Sequence, residues 1–405
     1  MFARDISMIK KVLIFNSPGP DHIEEGDYNF NVGEDSSGYY FARGWHQVIS
    51  SLVEGLINLS EITIFSTTEL NYGYKVLLKN SKRNSESTHL NYTYYTSIIN
   101  ESLYVEECED KAEECDLIII TEGHYGPTTY FKNQKGEVVS HLHHYMLVNH
   151  REKVVFIEPG DLRRPYIDKN KIEYSSEPQC TPPFYKVYFR REKSLDKKYN
   201  DNVITLPFST EERYFTGGKD FEKIWKNKNL NMVSLFVEKG HDNTRLKVKN
   251  ALSEYFKDDD KFIVDYLSLG HTIHNTTPKP GFSRVHKEES EAFLNAYISV
   301  DGEPGHGCYY TDRMFKSLAA GCCLFLPTPA YNVDFPNGFK DKENVVIYDK
   351  ENPNDLIDKI NYYLNNRGDL KRIAKNGFEN LLKYHTSEVR AKEFIETCER
   401  YMSEN

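Results

Sequence analysis

The sequence predicts an α/β protein with two parallel-sheet domains in series, and three observations carry that prediction. Short apolar runs of strand length recur along the chain and end at polar or glycine residues. Stretches with apolar residues three and four apart lie between them, so strands alternate with helices. The rhythm breaks between about residues 165 and 230 and then restarts. Alternating strands and helices build a parallel sheet covered on both faces, and a rhythm that restarts implies a second sheet.

Lys11-Val12-Leu13-Ile14-Phe15-Asn16 opens the first cycle as a buried strand. A turn-rich stretch follows, with Pro18, Gly19, Pro20, Gly26, Gly33 and Gly38. Next comes an apolar stripe at helical spacing: Phe41, Trp45, Val48, Ile49, Leu52, Val53 and Leu56. These residues share one helix face, and Ser36 or Ser37 can cap it. Further strands are predicted at Ile62–Phe65, Leu117–Thr121 and Val154–Ile157. Pro165, Pro178, Pro182, Pro183 and Pro207 punctuate the break, and charges crowd Arg190 to Asp201. The domain junction falls at about 207–228.

The second cycle has a strand at Met232–Val237, a turn at Lys239-Gly240-His241 and a helix at Thr244–Tyr255. Strands follow at Phe262–Tyr266, Ala296–Val300, Cys322–Leu326 and Val345–Tyr348. Helices at Asn354–Leu364, Asp369–Tyr384 and Ser387–Met402 close the chain. The expected units are residues 1–209, residues 210–385 and a C-terminal helix over 386–405.

Composition narrows the function. The 405 residues carry 51 Lys+Arg against 61 Asp+Glu, a formal net charge of −10. Residues 1–210 hold 23 basic and 30 acidic side chains (net −7), and residues 211–405 hold 28 and 31 (net −3). Neither half is a basic module, which disfavours a general nucleic-acid binder. Any bound phosphate must therefore be met by a local cluster. No apolar run approaches the roughly 20 residues of a membrane span. Met1 to Lys11 lacks the apolar centre of a secretory signal. The cysteines number seven, and none forms a C-x-x-C pair. A reduced, cytoplasmic protein without a zinc site is expected.

The chemistry concentrates between Ser299 and Pro329, which reads as strand, glycine-rich loop, helix, Gly321 and strand. Gly302, Gly305 and Gly307 surround Glu303, Pro304 and His306. Tyr310 leads into the helix, Thr311 or Asp312 can cap it, and Arg313 lies in its first turn. Free N–H groups and the positive helix end favour an anion there. An arginine in the same space can clamp a diphosphate bidentately. Phe315, Leu318 and Ala319 are predicted to face the core, and Gly321 to end the helix in the left-handed region.

A second candidate for anion contact is Lys239-Gly240-His241, with Arg245 at the start of the next helix. The same residues are equally readable as a solvated loop backed by Lys247 and Lys249. His141, His143, His144 and His150 raise the question of a metal. Their spacing lacks a clear carboxylate partner and fits a surface helix better, so no metal site is expected.

Arg313-Met-Phe-Lys-Ser-Leu-Ala-Ala-Gly321 before an apolar strand resembles the R-x-F-E-x-L-A-x-G signature of nucleotide-sugar glycosyltransferases of the GT-B fold. The closest likeness is to the bacterial spore-maturation-type branch. Tyr362-Tyr363-Leu364, Ile373-Ala374, Gly377, His385-Thr386 and Arg390 follow the order of that branch's ending. Leu206-Pro207-Phe208 resembles its interdomain stretch, and the likeness spans about residues 185–400. Tyr309 to Arg313 also resembles the Y-x-T-E-K motif of α1,3-fucosyltransferases. Both likenesses imply that a basic residue at Arg313 meets the donor phosphates. Two positions depart from the first pattern. Lys316 stands where a ribose-binding Glu is usual, and Cys308 stands where retaining relatives carry a second Glu.

The resemblance implies two Rossmann-like domains facing across a cleft, with the C-terminal helix packing back on the first. It implies a nucleoside diphosphate sugar as donor and a glycan or lipid-linked acceptor, without a required metal or cofactor. Glu303, His306, Tyr310, Thr311, Asp312 and Arg313, with Lys239, His241 and Arg245, are the expected donor residues. The first domain would hold the acceptor and, for an inverting reaction, a general base. His124, in Thr121-Glu122-Gly123-His124, and Asp21 are the candidates, each just after a predicted strand. Gly38 and Glu122 are placed at the cleft. A nucleotide-sugar epimerase and a catalytically silent sugar-nucleotide-binding protein remain the alternative readings.

Overall fold

The computed structural model describes residues 8–17, 47–59, 62–67, 101–103, 105–122, 131–132, 138–139, 146, 148–158, 167–168, 171–172, 185–196, 198–237, 243–267, 291–302, 310–329 and 332–404. Two separate parallel sheets organise them. The first contains β1 (Lys11–Ser17), β2 (Thr63–Thr67), β3 (Glu101–Leu103), β4 (Leu117–Glu122), β5 (Val154–Glu158) and β6 (Val187–Arg190). After the short β7 (Lys193–Ser194), which leaves this sheet, β8 (Val203–Thr205) completes it. The spatial order is β8-β6-β5-β4-β1-β2-β3, every pair parallel.

Two helices of this half are α1 (Gln47–Asn58) and α2 (Val105–Glu114). Val12, Leu13 and Ile14 of β1, Leu117 to Ile120 of β4 and Val154 to Ile157 of β5 are all buried. Burial on both faces explains why these strands read as unbroken apolar runs instead of alternating ones.

The second sheet contains β9 (Leu230–Val237), β10 (Phe262–Leu267), β11 (Ala296–Val300), β12 (Cys323–Pro327) and, beyond the short β13 (Val333–Asp334), β14 (Val346–Tyr348). Its order is β10-β9-β11-β12-β14, again all parallel. Helices of this half include α3 (Phe221–Lys226), α4 (Asn243–Tyr255), α5 (Asp312–Ala319), α6 (Pro353–Asn365) and α7 (Arg367–Tyr384). Gly321 has φ +69°, the left-handed stop expected after α5.

The stretch that reads as a break in the rhythm holds β6 and β8, two strands of the first sheet. Arg190, Arg191 and Glu192 give it the appearance of a solvated loop, yet all three are buried. Tertiary partners hold both arginines: the Arg190 guanidinium lies 3.6 Å from Glu158, and Arg191 sits over the Phe208 ring at 4.8 Å. His150 also departs from expectation. It is buried, 3.7 Å from Glu113, whereas a surface helix was expected there. His141, His143 and His144 lie outside the described residues.

The last helix, α8 (Ser387–Ser403), returns to pack on α1, as the fold class requires. The crossing is close. A Cβ on Gly55 would stand 2.0 Å from the Ser387 carbonyl oxygen, so only glycine fits. Ser387 donates its hydroxyl to Glu54 at 2.6 Å, and the Glu212 N–H donates to the same carboxylate oxygen at 2.8 Å. The outgoing and returning chains meet at a Thr210–Thr386 bridge.

His385 lies beside that bridge, 1% exposed. Its Nδ1 is 3.1 Å from Arg390 Nη2 and its Nε2 is 3.0 Å from the Asn337 carbonyl. Arginine can only donate, so Nδ1 accepts and the neutral ring donates from Nε2. Burial, reinforced by the Arg390 charge, pulls the His385 pKa down to about 3. A depressed histidine pKa means that the unfolded chain takes up a proton the folded one refuses. Stability is then lost as pH falls below the unfolded value, with a limiting slope of about 1.4 kcal/mol per pH unit. Melting temperatures between pH 7.5 and 5 are expected to fall more steeply for the native protein than for His385→Gln. Parallel curves would remove His385 as the cause.

Candidate active site

The carboxyl edge of the second sheet gathers the charged residues of interest. β11 ends at Val300, and Asp301 follows at 3% exposure. One carboxylate oxygen of Asp301 accepts from the Gly302 N–H at 2.8 Å and from Arg313 Nη2 at 2.9 Å. The other accepts from the Thr311 hydroxyl. Tyr348 OH donates to the Asp301 main-chain oxygen at 2.9 Å. Asp301 therefore ties the entry of the glycine-rich segment to its exit, because Gly302 opens that segment and Thr311 caps the helix beyond it. Arg313 is buried with it, and the two form an ion pair shielded from water.

Thr311 is the N-cap of α5, as expected, but its hydroxyl bonds Asp301 instead of capping a helix N–H. Asp312 sits in the first turn and accepts from Lys316 Nζ at 2.7 Å. Lys316 is 4% exposed, with its ammonium 5.1 Å above the Tyr214 ring. An ammonium has no acceptor, so Lys316 cannot stand in for a carboxylate that receives hydrogen bonds from a sugar.

Arg245 enters from the first turn of α4, is buried, and places Nη2 3.5 Å from the Gly302 carbonyl. The other end of α5 is anchored as well. The buried Lys228 ammonium donates to the Ala320 carbonyl at 2.8 Å and to the Phe293 and Leu294 carbonyls at 3.1 Å. Burial lowers the Lys228 pKa.

The connection after β6 of the first sheet reaches this site. Glu192, 4% exposed, accepts the Tyr310 N–H at 3.1 Å. The Tyr310 ring packs on Phe335 at 4.3 Å and on Phe339 at 5.4 Å. At the carboxyl edge of the first sheet, Glu158 ends β5 opposite Arg190 at the end of β6 and accepts from Tyr188 OH at 3.2 Å.

Arg245, Tyr310, Thr311, Asp312 and Arg313 are thus brought to one edge. Glu122 ends β4, in register with Ser17 at the end of β1. Asp21, Gly38, His124, Lys239, His241, Glu303 and His306 lie outside the described residues. Sequence reasoning missed Asp301 and Glu192. An Asp between an apolar strand and a glycine-rich loop was a usable signal for the first. Nothing local marks the second within Arg190-Arg191-Glu192-Lys193. Among the described residues, no three His, Cys, Asp or Glu side chains are grouped to hold a metal ion. No described helix is long and apolar enough to cross a membrane.

Residues 287–396 match the model of the glycosyl transferase-like family, a region that covers the loop, α5 and the helices after it. The fold matches a glycosyltransferase from Rickettsia africae ESF-5 with a TM-score of 0.54 at 10% identity, over 98% of this chain and 100% of that one. The protein has the GT-B fold, and residues 287–396 are glycosyl transferase-like. A second solved structure agrees on the fold. It is an α-glucosyltransferase in complex with UDP-glucose and DNA containing an abasic site, with a TM-score of 0.51 at 10% identity, over 96% and 99% of the two chains. No curated protein matches this chain. The family match spans β11, β12 and β14 of the second sheet and includes both Asp301 and Arg313.

Proposed function

We propose that the protein transfers a glycosyl group from a nucleoside diphosphate sugar, bound at the edge of the second sheet, to a hydroxyl of a glycan or lipid-linked acceptor held by the first. The observation that carries this reading is the convergence of Arg313, Arg245 and the start of α5 on one glycine-rich segment. Breaking the bond between sugar and diphosphate leaves negative charge on the departing oxygens. Prepositioned cations and helix N–H groups stabilise that charge most where water is excluded. Arg313 and Arg245 are assigned to the diphosphate, Arg313 with its position set by Asp301. Lys239 and His241 are assigned to the same anion, and Glu303 and His306 to the donor as well. Lys316 is engaged by Asp312 and Tyr214, so the ribose contact is assigned elsewhere in the loop.

The chemistry asked of the first half is acceptor binding and, for inversion, removal of the acceptor proton by His124 or Asp21 at working pH. Gly38 and Glu122 are assigned to the same cleft. No metal is assigned a role in the transfer.

The test is a panel of UDP-, GDP- and dTDP-sugars incubated with the purified protein, with and without glycan acceptors. Released nucleoside diphosphate and glycosylated product are quantified together. Equal amounts of both are the expected result. Conversion of the sugar with its diphosphate retained would identify an epimerase. Binding without turnover across the panel would identify a silent sugar-nucleotide-binding protein.

A further inference from the structure

We propose that Glu192, just beyond β6 of the first sheet, is a positioning residue for the start of α5 at the donor site of the second. The proposal rests on the donor-site reading above and adds a residue that the family-matched region does not contain. Three observations support it. The Glu192 carboxylate is buried and accepts the Tyr310 N–H at 3.1 Å. Tyr310 is the last residue before the Thr311 N-cap, so this bond fixes the point where the glycine-rich segment turns into α5. The backbone that carries Glu192 is itself tied to the second half. Lys193 and Ser194 of β7 pair antiparallel with Asp334 and Val333 of β13. Thr205 donates to Asp334 at 2.6 Å, and Asp196 receives both the main-chain N–H and the side-chain amide of Asn332.

A carboxylate beside an anion site opposes the anion by its charge. Its placement makes physical sense as a directional acceptor: it holds one N–H in place and thereby aims the helix start and Arg313. An acceptor used in that way demands reach more than charge. Shortening the side chain by one methylene withdraws the oxygen from Tyr310, whereas an amide of equal length keeps an oxygen at the same place.

The experiment titrates UDP and GDP into full-length native protein, Glu192→Asp and Glu192→Gln by calorimetry, with melting temperatures recorded alongside. Native protein is expected to bind at least one nucleotide. Glu192→Asp is expected to weaken that binding about 10-fold, the loss of one charge-assisted hydrogen bond. Glu192→Gln is expected to stay within about threefold of native, since a neutral acceptor is only somewhat weaker. A purely structural role would lower both melting temperatures and leave nucleotide affinity in place. Native affinity in Glu192→Asp would overturn the proposal, as would equal weakening in the two variants. Failure of native protein to bind either nucleotide would instead remove the donor-site reading on which the proposal stands.

Discussion

Glycosyl transfer by Arg313→Lys is expected to fall about 100- to 1,000-fold, the loss seen when one donor to a developing oxyanion is removed. Lysine is the informative replacement because of Asp301. Arg313→Ala would leave the Asp301 carboxylate buried without its cation, so lost activity and lost stability would arrive together. Lysine keeps a positive charge near Asp301 but replaces the forked guanidinium by a single ammonium. Its melting temperature should therefore stay near native while turnover and nucleoside diphosphate affinity both fall. Initial rates under saturating donor, with calorimetric affinities for the same nucleotide, give the two readings. Unchanged transfer in Arg313→Lys would remove Arg313 from the leaving-group site.

Asp301→Ala is expected to have the largest effect on stability, about 3–5 kcal/mol, the range found when one partner of a buried pair is removed. Several groups lose an acceptor at once: the Gly302 N–H, the Thr311 hydroxyl and the Arg313 guanidinium. For a chain of this size the loss corresponds to a melting temperature lower by about 4–6 °C. Asp301→Asn separates shape from charge. It keeps an acceptor for Thr311 or Gly302 but leaves Arg313 uncompensated, so it should recover part of the stability and little of the activity. Thermal melts of the two variants beside native protein decide it. Native stability in Asp301→Ala would show that the carboxylate is not what holds the loop ends together.

The alternation of apolar runs and helical stripes was enough to place strands such as β4, β5 and β11 within a residue or two. Parallel strands buried on both faces carry no polar alternation, so their apolar runs stand out in any sequence. The same rule hid β6 and β8. Val187-Tyr188-Phe189 is short, and it is followed by four charges in a row. Those charges become compatible with a buried strand end only through partners far along the chain. Arg190 meets Glu158, Arg191 meets Phe208 and Glu192 meets Tyr310. The first of these partners lies more than 30 residues back, and the last more than 100 residues ahead.

The proposed donor site divides along the same line. Local spacing places Thr311 at the start of α5, Arg313 in its first turn and Gly321 just past its end, because capping, helix geometry and the left-handed stop act within a few residues. Which charge faces which is not local. Asp301 and Arg313 are twelve residues apart and meet only because a strand end and a helix start are folded onto one sheet edge. Glu192 reaches the start of α5 from the connection after β6. Chain periodicity is written into neighbouring residues and survives without a fold, whereas the pairing of buried charges exists only once distant segments have excluded water from between them.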